Sequence, residues 1–431
     1  MKLKTLTTAM ILATVPMTGA FAAALDRSGQ SISAFLQPGN YFEAGISVLD
    51  PNVSGKVRNG YTPNAALPAS SAGLQNTSVG EMTGDYYFPS AALKLQVTDN
   101  FSFGLIYDQP FGAEVEYSTG TQKTTALPGP LAPLGNQGAF HNGTEGTSAE
   151  VKSQSISMLF GYQPTENFNF YAGPVYQTIK GDVQLRGLAY GGNATFGGYN
   201  ASIKETGDIG WLAGAAFQIP DIALKASVTY RSEIEHSVNV KESFNSAGLL
   251  AGLNAAPSLN TDITTPQSVN LDFQTGIMAN TVAFANVRWV DWSSFSIQPY
   301  KFGLASKSAA IQAQTGKSEF DLVAYTDDQI SATVGVGRKL NDQWAGNVSV
   351  GWDSGAGNPV TTFGPTEGYW NLGLGVQYSP TPATFIAGGV KYFWLGDAKG
   401  QSGSQFNTPG YVADFKNNDA IAYGLKMGYK F

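Results

Sequence analysis

The last twelve residues, Ala420-Ile421-Ala422-Tyr423-Gly424-Leu425-Lys426-Met427-Gly428-Tyr429-Lys430-Phe431, alternate without a break. Side chains of a strand point to opposite faces in turn. One face here therefore carries Ile421, Tyr423, Leu425, Met427, Tyr429 and Phe431, and the other carries only alanine, glycine and lysine. A soluble sheet can pattern in this way with its apolar face in a core. Here the apolar face is aromatic towards both ends and the chain stops on an aromatic residue. That is the pattern of a strand with lipid outside and a polar lumen inside, as in an outer-membrane β-barrel. In a closed barrel the last strand pairs with the first, so this stretch is expected to be the seam.

Composition agrees. The chain has 431 residues, 51 of them glycine; aromatics make up 12% and charged residues only 13%, too few for an ordinary soluble surface. With no cysteine, disulfides, thiolate metal sites and cysteine nucleophiles are excluded. The net charge is −7, and becomes −9 without Lys2 and Lys4, which gives no basis for nucleic-acid binding.

Residues 1–22 read as a signal peptide: Lys2 and Lys4, an apolar run from Leu6 to Phe21, and a small-x-small site at Ala20-Phe21-Ala22 or Ala22-Ala23-Ala24. No later stretch offers a helix-length apolar span. Residues 23–40 lack strand alternation, and residues 41–431 read as one barrel. Outward from the seam, the same alternation recurs in Tyr41 to Asp50, in Ala91 to Val97 and in Phe101 to Tyr117. It continues through Ile156 to Tyr162, Phe168 to about Gly187, a strand ending at Ile219, and Leu224 to Arg231. Val269 to Ile277, a strand through Arg288-Trp289-Val290, Ile330 to Gly337, Trp344 to Trp352, Trp370 to Tyr378 and a strand through Ile386 to Trp394 complete the set. The expectation is an all-β transmembrane antiparallel barrel of fourteen strands. Connections after even strands are short turns and those after odd strands are long loops, the asymmetry of periplasmic turns and outer loops. The localisation expected is the outer membrane of a Gram-negative cell.

Catalytic chemistry is not visible. His141 and His236 are the two histidines, and no G-x-S-x-G, H-E-x-x-H or phosphate-binding glycine loop occurs. No enzyme activity, cofactor or metal is expected; Asp26 and Asp327-Asp328 read as solvated acids.

Several stretches resemble the FadL family of outer-membrane transporters for hydrophobic compounds. They are Val48-Leu49-Asp50-Pro51-Asn52-Val53-Ser54-Gly55, Tyr87-Phe88-Pro89-Ser90-Ala91, Asp108-Gln109-Pro110-Phe111-Gly112-Ala113-Glu114-Val115-Glu116-Tyr117 and the block Arg288 to Ser293. The resemblance implies a fourteen-stranded barrel with an N-terminal plug. It implies passive uptake of long-chain fatty acids or aromatic hydrocarbons, with a lateral exit at a kinked third strand. On this chain the plug is residues 23–40 and the lateral gate Pro110, Phe111 and Gly112. Proline cannot donate to a ladder and glycine weakens one, which supports a break there independently; Pro174 in strand five shows that proline alone does not make a kink. The family's plug is longer and carries an Asn-Pro-Ala element that is missing here.

Candidate capture residues are Leu249, Leu250 and Leu253, in a loop segment patterned as a short amphipathic helix, and Leu127, Leu131, Leu134 and Phe140 in another loop. A fatty acid needs a cation for its carboxylate. By strand parity Lys94, Lys225, Arg231, Arg288, Lys391 and Lys426 point inward, with Arg231 and Arg288 the candidate partners. The partners expected are a fatty acid or other hydrophobic small molecule, outer-membrane lipid and lipopolysaccharide, and the barrel-assembly machinery, with the chain a monomer. The rival readings are an aromatic hydrocarbon channel, a structural or adhesive surface barrel, and a water-filled porin.

Overall fold

The computed structural model describes residues 24–61, 73–119, 123–126, 135–402 and 411–431. The signal-peptide segment and Leu127, Leu131 and Leu134 lie outside the described residues.

Fourteen antiparallel strands close into one barrel. They are Tyr41–Asn52, Tyr86–Gln96, a third strand in two pieces (Phe101–Asp108 and Gly112–Glu116), Ser148–Tyr162, Phe168–Gln184 and Asn200–Ile219. A seventh, Leu224–Arg231 with Ile234–Ser243, and an eighth, Asn260–Thr265 with Ser268–Met278, are also in two pieces. Thr281–Val290, Gln329–Lys339, Trp344–Asp353, Tyr369–Thr381, Thr384–Leu395 and Asp419–Lys430 follow. The seam closes in register from Tyr41 opposite Lys430 to Asn52 opposite Asp419. On the last strand Tyr423, Leu425 and Met427 are about half exposed while Ala420, Ala422 and Lys426 are buried, as the alternation requires.

The outward face forms the lipid band. Phe101 packs on Tyr162, Phe168 on Phe217 and Trp344 on Tyr378 near the short turns, with centroids 4.8–5.1 Å apart. Trp352, Trp370 and Trp394 face one another across three strands at the other end. Trp344 and Trp352 lie eight residues apart on one strand, ~26 Å of extended chain and roughly 20 Å once tilted. That spacing fits two aromatic girdles around a hydrocarbon layer.

The long loops condense above the barrel around a core of their own. A five-stranded sheet joins Ser54–Val57, Ser78–Glu81, Val360–Thr361, Ala398–Gln401 and Ala413–Phe415. Two short helices, Tyr300–Ser306 and Ala309–Thr315, follow the ninth strand. Phe196, Tyr199, Phe244, Phe302 and Phe320 are packed ring on ring inside this cap. The sequence reading missed it because loop residues show no period. Two expectations change in detail. The third strand does not run unbroken from Phe101 to Tyr117. The expected amphipathic helix is a single 3-10 turn, Ala251–Ala255.

Candidate functional site

At Gln109-Pro110-Phe111 the third strand leaves the barrel wall. On one side it stays tied to the fourth strand. Asp108 faces Ser155, the ladder resumes with Gly112 opposite Lys152, and between them the Ser153 side chain substitutes for a ladder partner. Its Oγ accepts from Phe111 N–H at 2.8 Å and donates to Phe111 C=O at 2.7 Å. The other side opens. The second strand's backbone pairs with the third only from Ala91 to Gln96, and from Tyr86 to Ser90 it pairs with the first strand. At the far end of the opening the Tyr86 hydroxyl reaches across, accepting from Glu114 N–H at 2.8 Å and donating to Glu114 C=O at 2.6 Å. Pro89 and Pro110 border this opening, one on each strand, where their missing N–H groups cost no ladder bond. Pro174 differs: pairing to the fourth strand skips Gly173 and Pro174 but resumes at Val175, and the wall stays continuous.

Behind the opening lies a cavity. Its walls include Phe88, Pro89, Tyr107 and Gln109 at the break and Ser31, Glu43 and Lys426 in the lumen. A second lumenal cavity is lined by Ile32, Leu36, Phe273, Phe284 and Ala285 with Lys225, Asp272 and Asn286.

Residues 24–40 run between these spaces and are held by the inward face of the barrel. Their first turn pairs with the break itself: Arg27 N–H donates to Pro110 C=O at 2.7 Å, Gly112 N–H donates to Leu25 C=O at 2.8 Å, and Asp26 bridges Phe111. Asp26 also binds Arg288, Nε to Oδ2 at 2.6 Å, with both side chains almost fully buried. Arg288 further donates to Asn270 Oδ1 at 2.7 Å, Gln30 Oε1 at 3.0 Å and Ser268 Oγ at 3.2 Å. Arg231 donates to Gln30 C=O at 2.9 Å and Ser157 Oγ at 3.3 Å. Ser28 Oγ donates to Asp108 at 2.8 Å, and Asn270 holds Gly29 C=O at 2.8 Å. Further along, Phe35 sits edge-on to Tyr171 in a socket left by Gly104 and Gly161; a Cβ on Gly104 would stand 2.5 Å from its ring, and one on Gly161 2.8 Å.

The candidate residues are thus unequally placed. Pro110, Phe111 and Gly112 form the break, and Phe111 is buried edge-on against Trp292. Arg231 and Arg288 share Gln30 and hold the N-terminal segment. Lys426 pairs with Glu43 at 3.1 Å. Leu250 and Leu253 pack against the core of the outer loops, and Leu249 is 69% exposed. Phe140 is fully buried, stacked on Tyr117 at 4.3 Å. Asp26, read from the sequence as a solvated acid, is instead buried against Arg288. Sequence reasoning missed the roles of Gln30, Ser153 and Pro89, of which only Pro89, a proline inside an alternating stretch, carried a local signal.

The family model for outer membrane protein transport proteins (OMPP1/FadL/TodX) matches residues 135–431. The chain belongs to this family. The FadL/TodX assignment places it in the outer membrane as a transport barrel for hydrophobic compounds. Among solved structures, a Pseudomonas aeruginosa FadL homologue superposes with a TM-score of 0.65 at 16% identity, covering 96% of both chains. The P. putida toluene transporter TodX gives 0.56 at 13% identity, covering 92% of this chain and 91% of that one. The Ralstonia pickettii toluene transporter TbuX gives 0.54 at 12%, covering 96% and 98%. At these identities the likeness is one of fold. No curated protein sequence matches.

Proposed function

We propose that this FadL/TodX-family barrel takes up long-chain fatty acids passively and releases them sideways, between the second and third strands at Pro110, Phe111 and Gly112. The observation that carries this reading is the cavity whose walls run from the lumen to the unpaired edge of the second strand. A greasy molecule leaving there enters the bilayer without crossing water, which suits a solute whose transfer from water to hydrocarbon is favourable.

Residues 23–40 act as the plug, and the Asp26–Arg288 pair is its latch. A fatty-acid carboxylate is chemically equivalent to the Asp26 side chain, so it competes for the same guanidinium. Winning that site releases Asp26 and with it the two backbone bonds that hold Leu25 and Arg27 on the break. Leu249, exposed on an outer loop, is the remaining candidate for first capture. The chain works as a channel rather than an enzyme.

A second reading is a monoaromatic hydrocarbon channel. Both arginines are already engaged by the N-terminal segment, and two proteins of the same fold are toluene transporters. Uptake of labelled oleate and labelled toluene, by cells lacking their own transporters and producing this chain, separates the two. Oleate uptake that changes in Arg288→Gln, which removes both the carboxylate's partner and the latch, supports the fatty-acid reading. Toluene uptake alone, indifferent to Arg288, replaces it with the hydrocarbon reading.

A further inference from the structure

At the short-turn end the barrel opens into a polar vestibule. Two inward lysines stand at its head. Lys94 Nζ donates to Gln37 C=O and Lys225 Nζ to Leu36 C=O, each at 2.6 Å. The acceptors belong to consecutive residues, whose Cα atoms are ~3.8 Å apart, so the ammonium groups come within roughly 10 Å of each other. Lys430 is near enough for its charge to act on Lys225 as well. Among the described residues no carboxylate pairs with either Lys94 or Lys225; the rim acids Asp99 and Glu166 sit on exposed turns.

An ammonium has three N–H donors. One of each is spent on a carbonyl, which leaves four between the two lysines. Buried charges in proteins are normally paired. Here two like charges share one small region with only neutral oxygens against them. A third side chain on the same wall is incomplete too. Asn169 is more than nine-tenths buried, its Oδ1 has no partner, and its carboxamide makes no hydrogen bond among the described residues. Turned about its last torsion, the carboxamide presents two N–H donors instead.

We propose that Lys94, Lys225 and Asn169 form an oxyanion-binding site open to the periplasm, suited to a small phosphate or carboxylate and distinct from the lateral route. The bound anion takes the free ammonium protons and the Asn169 amide. It also competes with the Leu36 and Gln37 carbonyls, and so loosens the lower end of the N-terminal segment. None of this depends on which compound the barrel transports.

The test uses the full chain in detergent micelles, titrated calorimetrically with inorganic phosphate and separately with succinate, against sodium chloride of equal ionic strength. Saturable binding of either oxyanion is expected, weakened at least about tenfold in Lys94→Gln/Lys225→Gln and less in Asn169→Ala. Phosphate alone assigns a phosphate site, succinate alone a carboxylate site, and both a general oxyanion site. No saturation beyond the chloride control, or affinity unchanged in the double variant, overturns the proposal. Because the chain has no cysteine, a spin label at Ser33→Cys on the otherwise intact protein gives a readout that does not need the double variant to fold. The label is expected to become more mobile as phosphate or succinate saturates, and an unchanged spectrum overturns the coupling to the segment.

Discussion

Arg288 combines two demands on one side chain. Its planar fork reaches a carboxylate, a hydroxyl and two side-chain carbonyls, a set that a lysine could not match. Breaking a buried ion pair from one side strands the other charge, at a cost of about 3–5 kcal/mol. Arg288→Gln is therefore expected to leave the barrel folded but raise amide hydrogen exchange across Leu25 to Gln30 by at least about a hundredfold. Unchanged protection there would mean the backbone pairing to Pro110 and Gly112 suffices alone. Above the membrane, Glu367 supplies a pH dependence. Burial, reinforced by the Asp327 carboxylate and opposed by a hydrogen bond from Gly357 N–H, pushes its carboxyl up to about 7 from an ordinary 4.5. The folded cap then holds this proton more tightly than the unfolded chain does. The stabilisation is present below about pH 4.5 and is lost as pH rises towards 7. Since Glu367 is partly exposed, the effect is about 1–2 kcal/mol after solvent screening. Exchange protection in the loop from Ser354 to Gly368 should fall between pH 4.5 and 7.5 in the intact protein and stay level in Glu367→Gln.

The third strand and the N-terminal segment are built for one another. Without side chains at Gly104 and Gly161, Phe35 can seat against the barrel wall, and the segment passes on to the Lys94 and Lys225 contacts from a fixed point. Gly104→Val is expected to expel the Phe35 ring, costing about 1–3 kcal/mol of overpacking. It should raise trypsin cleavage at Arg27 while the heat-resistant mobility of the folded barrel on gels is kept. Much of this element was legible in the sequence. Period-two alternation placed Phe101 to Tyr107, while the break at Pro110 to Gly112 was expected from the family resemblance and from a proline beside a glycine, not from the alternation, which ran the strand on to Tyr117. The partners of the break were not legible. Asp26 and Arg288 are 262 positions apart, and nothing local marks this aspartate as an arginine's partner. Arg231 and Arg288, expected to point inward, both reach the N-terminal segment. That they meet at Gln30 follows only from how the segment folds back into the barrel.

Taken whole, the molecule is a barrel with a dense outer cap, a lumen divided by its N-terminal segment, and one wall opened between two neighbouring strands. The barrel could be read almost entirely from the chain, since lipid on one side forces every stave into the same alternation. The cap could not, because Phe196, Phe302 and Phe415 come from loops whose apolar residues follow no period and meet only after the staves set their ends. Transport through the open wall makes one direct demand: closing the wall must stop uptake. Pro110→Val with Gly112→Val restores an N–H donor and β-propensity at the break. The second change is tight, since a Cβ on Gly112 would stand 3.1 Å from Val151 O and 3.8 Å from Arg27, so Val151 must give by a few tenths of an ångström and the variant is read only where the barrel is shown to be folded. The decisive measurement is uptake of labelled oleate, or of toluene should that prove the substrate, by cells carrying the intact chain or the double variant at equal surface expression. A lateral route predicts at least about a tenfold loss of uptake in the variant, with the barrel still folded. Undiminished uptake through a folded double variant would contradict exit at the third strand.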